Sequence, residues 1–299
     1  MCCTALFLHH LSLALHKAIK HLNYMAHKYF VWLALSLLCA GCKESPIQIP
    51  ELGVGTRKVL VEELSGVNCT NCPDGARELA KIQTALGKDK VVLVSIYPSL
   101  YGILSRPYTD SKYDFRIKEG DDLVKYLGVA DGIPAVSVNR TINNVGALNP
   151  FMLSPTQWGG IVRDQLQEEP TIGMFMDNTY DPATRTLNIQ LNLSPAKTLI
   201  GEHRLTVLIT QDSIVDAQND KGVKVKEYVH RHVLRKILTQ PSGEVIGEAL
   251  TVNALISKTM TFVLPTNWEA KHCDVVAFVH RSGTPDFKVL QAVEEHLLP

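Results

Sequence analysis

Two cysteines separated by two residues, Cys69-Thr70-Asn71-Cys72, are the residues best suited to chemistry in this sequence. Between a strand and a helix, this spacing sets the first sulfur at the helix N-terminus, exposed, and the second one turn in. The partial positive charge of the helix end favours a thiolate and makes Cys69 the nucleophile. The two-residue gap lets Cys72 reach back and resolve a mixed disulfide. A second feature is Ile133-Pro134, which opens a later strand. A Cys-x-x-Cys is also half of a zinc site, but structural zinc takes four ligands. His230, His232 and His272, the last beside Cys273, supply no second close pair, so neither a metal nor a cofactor is expected. His230 and His232 read as sheet-surface or loop-packing residues, and Cys273 as a small buried hydrophobe.

The elements that must position these residues follow from periodicity. Val59–Leu64 reads as a strand, residues 65–74 as a turn, and Ala76–Leu86 as a helix with Leu79, Ile82 and Leu86 on one face and Gly87 as its stop. The unbroken apolar run Val91–Ile96 fits a buried parallel strand. Residues 98–120 look like an insertion; with Tyr97 just before it, the insertion's Tyr101, Tyr108 and Tyr113 are placed to line a groove near the cysteines. A short helix over Asp121–Leu127, a strand ending at Val138, a return strand over Thr141–Leu148 and a helix over Thr156–Glu168 complete a small α/β domain, residues 58–170. After Pro170 the pattern alternates: Leu187, Ile189, Leu191 and Leu193 interleave with polar residues. Residues 171–299 therefore read as an antiparallel β-sandwich, immunoglobulin-like in character.

A strand, a Cys-x-x-Cys, a helix and a later Ile-Pro opening a strand together resemble the thioredoxin superfamily. That resemblance implies a thioredoxin-like domain in which Cys69 attacks, Cys72 resolves and Pro134 is a cis-proline beside an edge that binds extended peptide. It also implies a carboxylate beneath the motif as proton acceptor. Glu62 and Glu63 are both candidates, and strand alternation lets only one point inward. Asn68 stands before the first cysteine in place of an aromatic residue, and Pro73 follows the second instead of lying between the two.

The chain has 30 basic and 30 acidic residues and no basic stripe, which argues against nucleic acid. Near the N-terminus, Phe30–Ala40 is apolar but shorter than the roughly 20 residues that span a bilayer. With His27 and Lys28 before it and Ala40-Gly41-Cys42 after it, the segment reads as a signal peptide over residues 25–41. Its end resembles a bacterial lipobox, with Cys39 where Leu is usual. Cys42 is the expected site of lipidation, residues 42–57 a tether, and residues 1–24 a non-native extension ahead of a start at Met25. The absence of Asp after Cys42 favours the outer membrane. Of the seven cysteines, Cys69, Cys72 and Cys273 remain for the globular part, and the close pair is the natural disulfide outside the cytoplasm.

Over residues 42–299 the sequence also resembles the outer membrane protein 28-related lipoproteins. The carrying residues are Val61-Glu-Glu-Leu-Ser-Gly-Val-Asn-Cys-Thr-Asn-Cys-Pro-Asp-Gly75, Gly132-Ile-Pro-Ala135 and Tyr228-Val-His-Arg-His-Val-Leu-Arg235. The resemblance implies a thioredoxin-like domain followed by a β-domain on an outer membrane, and no particular substrate. Two functions are expected from different classes. One is thiol–disulfide exchange with an extended peptide or protein partner of the cell envelope. The other is a binding lipoprotein in which the cysteines only staple a turn.

Overall fold

The computed structural model describes residues 53–143, 147, 149–283 and 286–298. Cys42, the signal segment, the N-terminal extension and most of the tether lie outside the described residues, as do residues 144–146 and 148 of the expected strand over 141–148.

The first half is built from β1 (Val59–Leu64), α1 (Cys72–Leu86), β2 (Val91–Ile96), α2 (Lys118–Leu127), β3 (Ala135–Val138) and α3 (Pro155–Leu166). β1 and β2 are parallel, β3 is antiparallel to β1, and Met152 bridges Val136 on the far side of β3. Residues 141–143 form no strand; Asn139 and Arg140 take left-handed backbone, and among the described residues the chain returns to β3 at Met152. Because side chains alternate along a strand, β1 sends Val59 and Val61 toward α1 and α3, packing with Leu79, Ile82, Trp158 and Val162. It sends Leu60 and Leu64 the other way, against Leu123, Val124 and Leu127 of α2.

The second half adds β4 (Ile172–Asp181), β5 (Thr186–Pro195), β6 (Leu199–Gln211), β7 (Ile214–Asp220), β8 (Val223–His230), β9 (Val233–Ile237), β10 (Glu244–Leu250), β11 (Ile256–Val263), β12 (Cys273–Arg281) and β13 (Val289–His296). The alternating stretch from Leu187 to Leu193 is β5, and β4 precedes it across the turn after Asp181. They pair antiparallel and join β11 in a three-stranded sheet. Its inner face, Ile172, Leu187, Ile189, Leu191 and Leu193, packs on Leu205, Val207, Ile209, Val275, Ala277 and Val279 of β6 and β12.

Two facing layers are therefore present, but residues 171–299 do not close as a separate sandwich. The larger layer is one sheet in the order β13-β12-β6-β9-β2-β1-β3, with β10 on the first half of β6. The join is Ser95 of β2 against Val233 of β9, where the Ser95 amide donates to the His232 carbonyl at 2.8 Å. An unpaired β2 edge would leave backbone groups exposed; β9 covers it. The core is continuous across the join: Leu60, Val94 and Leu127 share a cluster with Leu208, Val276, Phe278 and Val289. The described residues from 53 to 298 accordingly belong to one compact unit, which runs through the expected boundary at 170/171. The C-terminal end of the expected tether is also docked. Arg57 is buried, donates to the Gln165 and Leu290 carbonyls, and Thr56 accepts from Gln291 at 3.0 Å. Among the described residues, no helix is long and apolar enough to cross a membrane.

Candidate functional site

β1 delivers the chain into a turn over residues 65–71, and α1 begins at Cys72 with Pro73 in its first turn, a position where the missing amide costs no helical bond. Cys69 and Cys72 are disulfide-bonded, with Cα atoms 5.4 Å apart. The helix thus starts at the second cysteine, four residues earlier than periodicity predicted, with the first in the turn just ahead of it. The Ile133–Pro134 peptide is cis, and the Cys69 sulfur lies 3.7 Å from the Ile133 carbonyl oxygen.

Glu63 lies beneath α1. It shares a face of β1 with Val59 and Val61, and Ser95 opposite it on β2 donates to its carboxylate at 2.9 Å. The link to the cysteines runs through Gly75, one turn beyond Cys72. A Cβ at Gly75 would stand 3.0 Å from Pro134, a tight contact, and 3.4 Å from Glu63 Oε1, an ordinary one, so the absence of a side chain there helps the helix approach the proline closely. Glu63 Oε1 is buried without a partner, and burial pushes the carboxyl up to about 7 despite the opposing Ser95 bond.

Glu62 faces the opposite side. Arg140 holds it through Nε at 2.9 Å and Nη2 at 2.6 Å, with both side chains fully buried and the guanidinium 4.6 Å from the centre of the Phe278 ring. The structure therefore brings Cys69, Cys72, Pro134 and Glu63 together, and places Glu62 in a structural ion pair away from the sulfurs.

The cysteines are not exposed as expected: Cys69 is 3 % accessible and Cys72 1 %. The tyrosines of the insertion do not open a groove. Tyr97 is buried against Phe115 and His230, with its hydroxyl 3.1 Å from His230 Nδ1. Burial moves the Tyr97 hydroxyl well above its usual range, with Glu63 adding to the effect, and lowers His230 to about 4, leaving the imidazole neutral near pH 7. Tyr108 and Tyr113 pack on the same cluster, and Tyr101 donates to the Ala130 carbonyl at 3.1 Å. An open groove of about 510 Å³ lies instead between α1 and the Pro134 turn, lined by Asn71, Gly75, Arg77, Lys81, Pro134 and Leu153 among others. Cys273 is a buried free thiol in β12, pushed up to about 12 by burial. Among the described residues, no group of three or more His, Cys, Asp or Glu is placed to hold a metal ion.

Sequence reading missed the residues that cover the cysteine turn: Gln218, Asn219 and Asp220, at the end of β7. No local pattern marks them, since what they bind is mainly backbone carbonyl, which every residue possesses.

Fold and site define a β-rich mixed α/β protein whose one disulfide among the described residues joins a buried turn to a helix start. A family model described as "Outer membrane protein Omp28" matches residues 121–297, and the chain belongs to that family. Membership suggests an outer-membrane location. Among solved structures, the chain is similar to HBP35 of Porphyromonas gingivalis, at 17 % identity and a TM-score of 0.62 over 81 % of this chain and 76 % of that one. It is also similar to a protein of Agrobacterium tumefaciens, at 14 % identity and a TM-score of 0.50 over 81 % of this chain and 96 % of that one. These likenesses concern the fold. A domain of the outer membrane lipoprotein Omp28 from Porphyromonas gingivalis matches at 20 % identity over 42 % of this chain and 88 % of that one, with a TM-score of only 0.29. No curated protein matches the chain.

Proposed function

We propose that this protein is an outer-membrane lipoprotein, anchored through Cys42, whose thioredoxin-like half exchanges thiols and disulfides with extended segments of exported proteins. The observation that carries the reading is the convergence at the start of α1: Cys69 beside the Ile133 carbonyl, Cys72 at the helix start, and the buried Glu63 carboxyl one turn below, next to Gly75. The strand order β2-β1-β3 with Met152 beyond, α1 and α3 on one face and α2 on the other, supports the thioredoxin-like assignment.

In the exchange, a partner thiolate attacks the Cys69 sulfur. A mixed disulfide forms, the Cys69–Cys72 bond breaks and Cys72 leaves as a thiolate. A second partner thiol then attacks the mixed disulfide and releases Cys69. The partner loses two electrons and gains a disulfide; the cysteine pair gains the electrons, and the partner's two protons end on Cys69 and Cys72. Glu63, with a carboxyl held near 7, is suited to pass a proton to or from Cys72. Run in reverse, the same steps reduce a partner.

The competing reading is a binding lipoprotein in which the disulfide is a staple, and the burial of both sulfurs favours it. The reduction potential of the pair separates the two, with a disulfide-exchange assay on wild type and Cys69→Ser. Exchange predicts a potential above about −300 mV and activity lost in the variant; a value well below about −300 mV marks a staple.

A further inference from the structure

The cysteine turn is closed by a part of the chain about 150 residues away. β7 and β8 form a two-stranded hairpin outside the two larger sheets. Its tip donates to every carbonyl of the turn from Gly66 to Thr70. Gln218 Nε2 reaches Gly66 at 3.0 Å and Cys69 at 3.4 Å, and the Asn219 amide reaches Val67 at 2.8 Å. Asn219 Nδ2 reaches Asn68 at 3.2 Å, and the Lys221 amide reaches Thr70 at 3.0 Å. Asp220 then accepts from Arg77 of α1 at 2.9 and 3.1 Å.

The Gly66 carbonyl also accepts from the Cys69 amide at 3.1 Å, but the carbonyls of Val67 to Thr70 in an irregular turn would ordinarily be left to water or a ladder partner. Here one hairpin tip takes them all. The tip and base differ in what holds them. The base is seated in apolar packing, Ile214 with Val233, Phe115 and Tyr97. Gln218 is buried, so its bonds to Gly66 and Cys69 are shielded, but from Asn219 to Lys221 the tip is held by hydrogen bonds and half-exposed ion pairs, which exchange with water at little cost. A hairpin anchored at its base and polar at its tip opens at the tip first.

We propose that residues 218–221 are a clasp that shuts the Cys69–Cys72 pair against small thiols, and that an extended polypeptide opens it by supplying its own backbone N–H groups to the carbonyls of Gly66 to Thr70. Gln218 and Asn219 are positioning residues for the turn, and Asp220 latches the tip to α1. The inference rests on the reading of Cys69–Cys72 as an exchange site and names its selectivity: segments of protein in preference to small-molecule thiols.

The test uses the mature oxidised protein, its Asp220→Asn variant and a Gln218→Ala/Asn219→Ala double variant. Reduction is followed with dithiothreitol, whose first thiolate attacks Cys69 and whose second closes the cyclic disulfide, and separately with reduced, unfolded ribonuclease A. Amide exchange at Lys221 reports opening of the tip, and thermal unfolding confirms that each variant is folded. The clasp predicts dithiothreitol rates raised by up to about fivefold in Asp220→Asn and by about tenfold or more in the double variant. Lys221 exchange should rise in parallel, while the ribonuclease rate changes less. Faster Lys221 exchange with unchanged dithiothreitol rates would overturn the clasp. Dithiothreitol rates that respond, with no ribonuclease exchange in any form, would leave a barrier to small thiols but overturn both its opening by polypeptide and the exchange reading.

Discussion

Between β4-β5-β11 and the strands β6 and β12 lies a core of Leu187, Ile189, Leu191, Val207 and Val275, fully buried or nearly so. Between the hairpin tip and the cysteine turn lie hydrogen bonds to backbone and two ion pairs with exposed members. The first junction draws its stability from apolar area removed from water, which no solvent molecule replaces. The second draws on hydrogen bonds and ion pairs, and from Asn219 to Lys221 these are groups that water satisfies almost as well, with only Gln218 buried. The cysteines sit at the releasable junction, beside a rigid sheet. Glu62 and Glu63 repeat the contrast on a smaller scale: one is neutralised by Arg140, the other left buried beneath α1 with an oxygen unpaired.

If this division of roles is right, the largest effects arise away from the cysteines. Arg140→Ala leaves Glu62 buried without its cation and should cost about 3–5 kcal/mol in urea unfolding; a loss below about 1 kcal/mol would mean that the pair is not a structural tie. Leu191→Ala opens a cavity between the layers and should cost about 2–5 kcal/mol, with no change in the dithiothreitol rate of the disulfide. A rate that rose with it would couple the two junctions.

Glu63 gives a smaller effect with a defined sign. Its folded carboxyl titrates near 7 against an ordinary 4.5, so the folded state holds the proton more tightly. That contribution to stability is complete below pH 4.5 and is lost as pH rises through 7. Glu63→Gln should therefore be more stable than wild type at pH 8 by up to about 3 kcal/mol, with the advantage gone at pH 4. An equal difference at both pH values would show that Glu63 is not titrating in the fold. Weakest of all is Asp220→Asn, expected to change global stability by less than about 1 kcal/mol while altering access to the disulfide.

Much of the first half, and β5 of the second, was legible because the signals there are local. The apolar run Val91–Ile96, the helical spacing of Leu79 and Ile82, and the alternation from Leu187 to Leu193 each became the element they described. The stretch from Ile214 to Leu250 was less readable. β8 shows no regular alternation of buried and exposed residues, because its partner is a short hairpin mate and not a packed layer. Residues 141–143, the described start of the strand expected after Thr141, follow Asn139 and Arg140, which turn the backbone through left-handed conformations, with the Asn139 side chain accepting from the Leu60 amide.

The sequence alone determined the Cys-x-x-Cys between a strand and a helix, the proline turn at Ile133-Pro134, and the kinds of element around them, since spacing and periodicity belong to contiguous residues. Only the tertiary structure decided that Glu63 and not Glu62 lies under α1, because both alternations of β1 are equally apolar and the choice depends on which face the helix covers. It alone decided that β9 joins the two halves into one sheet and that the hairpin closes the cysteine turn. Those contacts join residues more than 100 positions apart, mostly through backbone carbonyls and amides that carry no sequence signature.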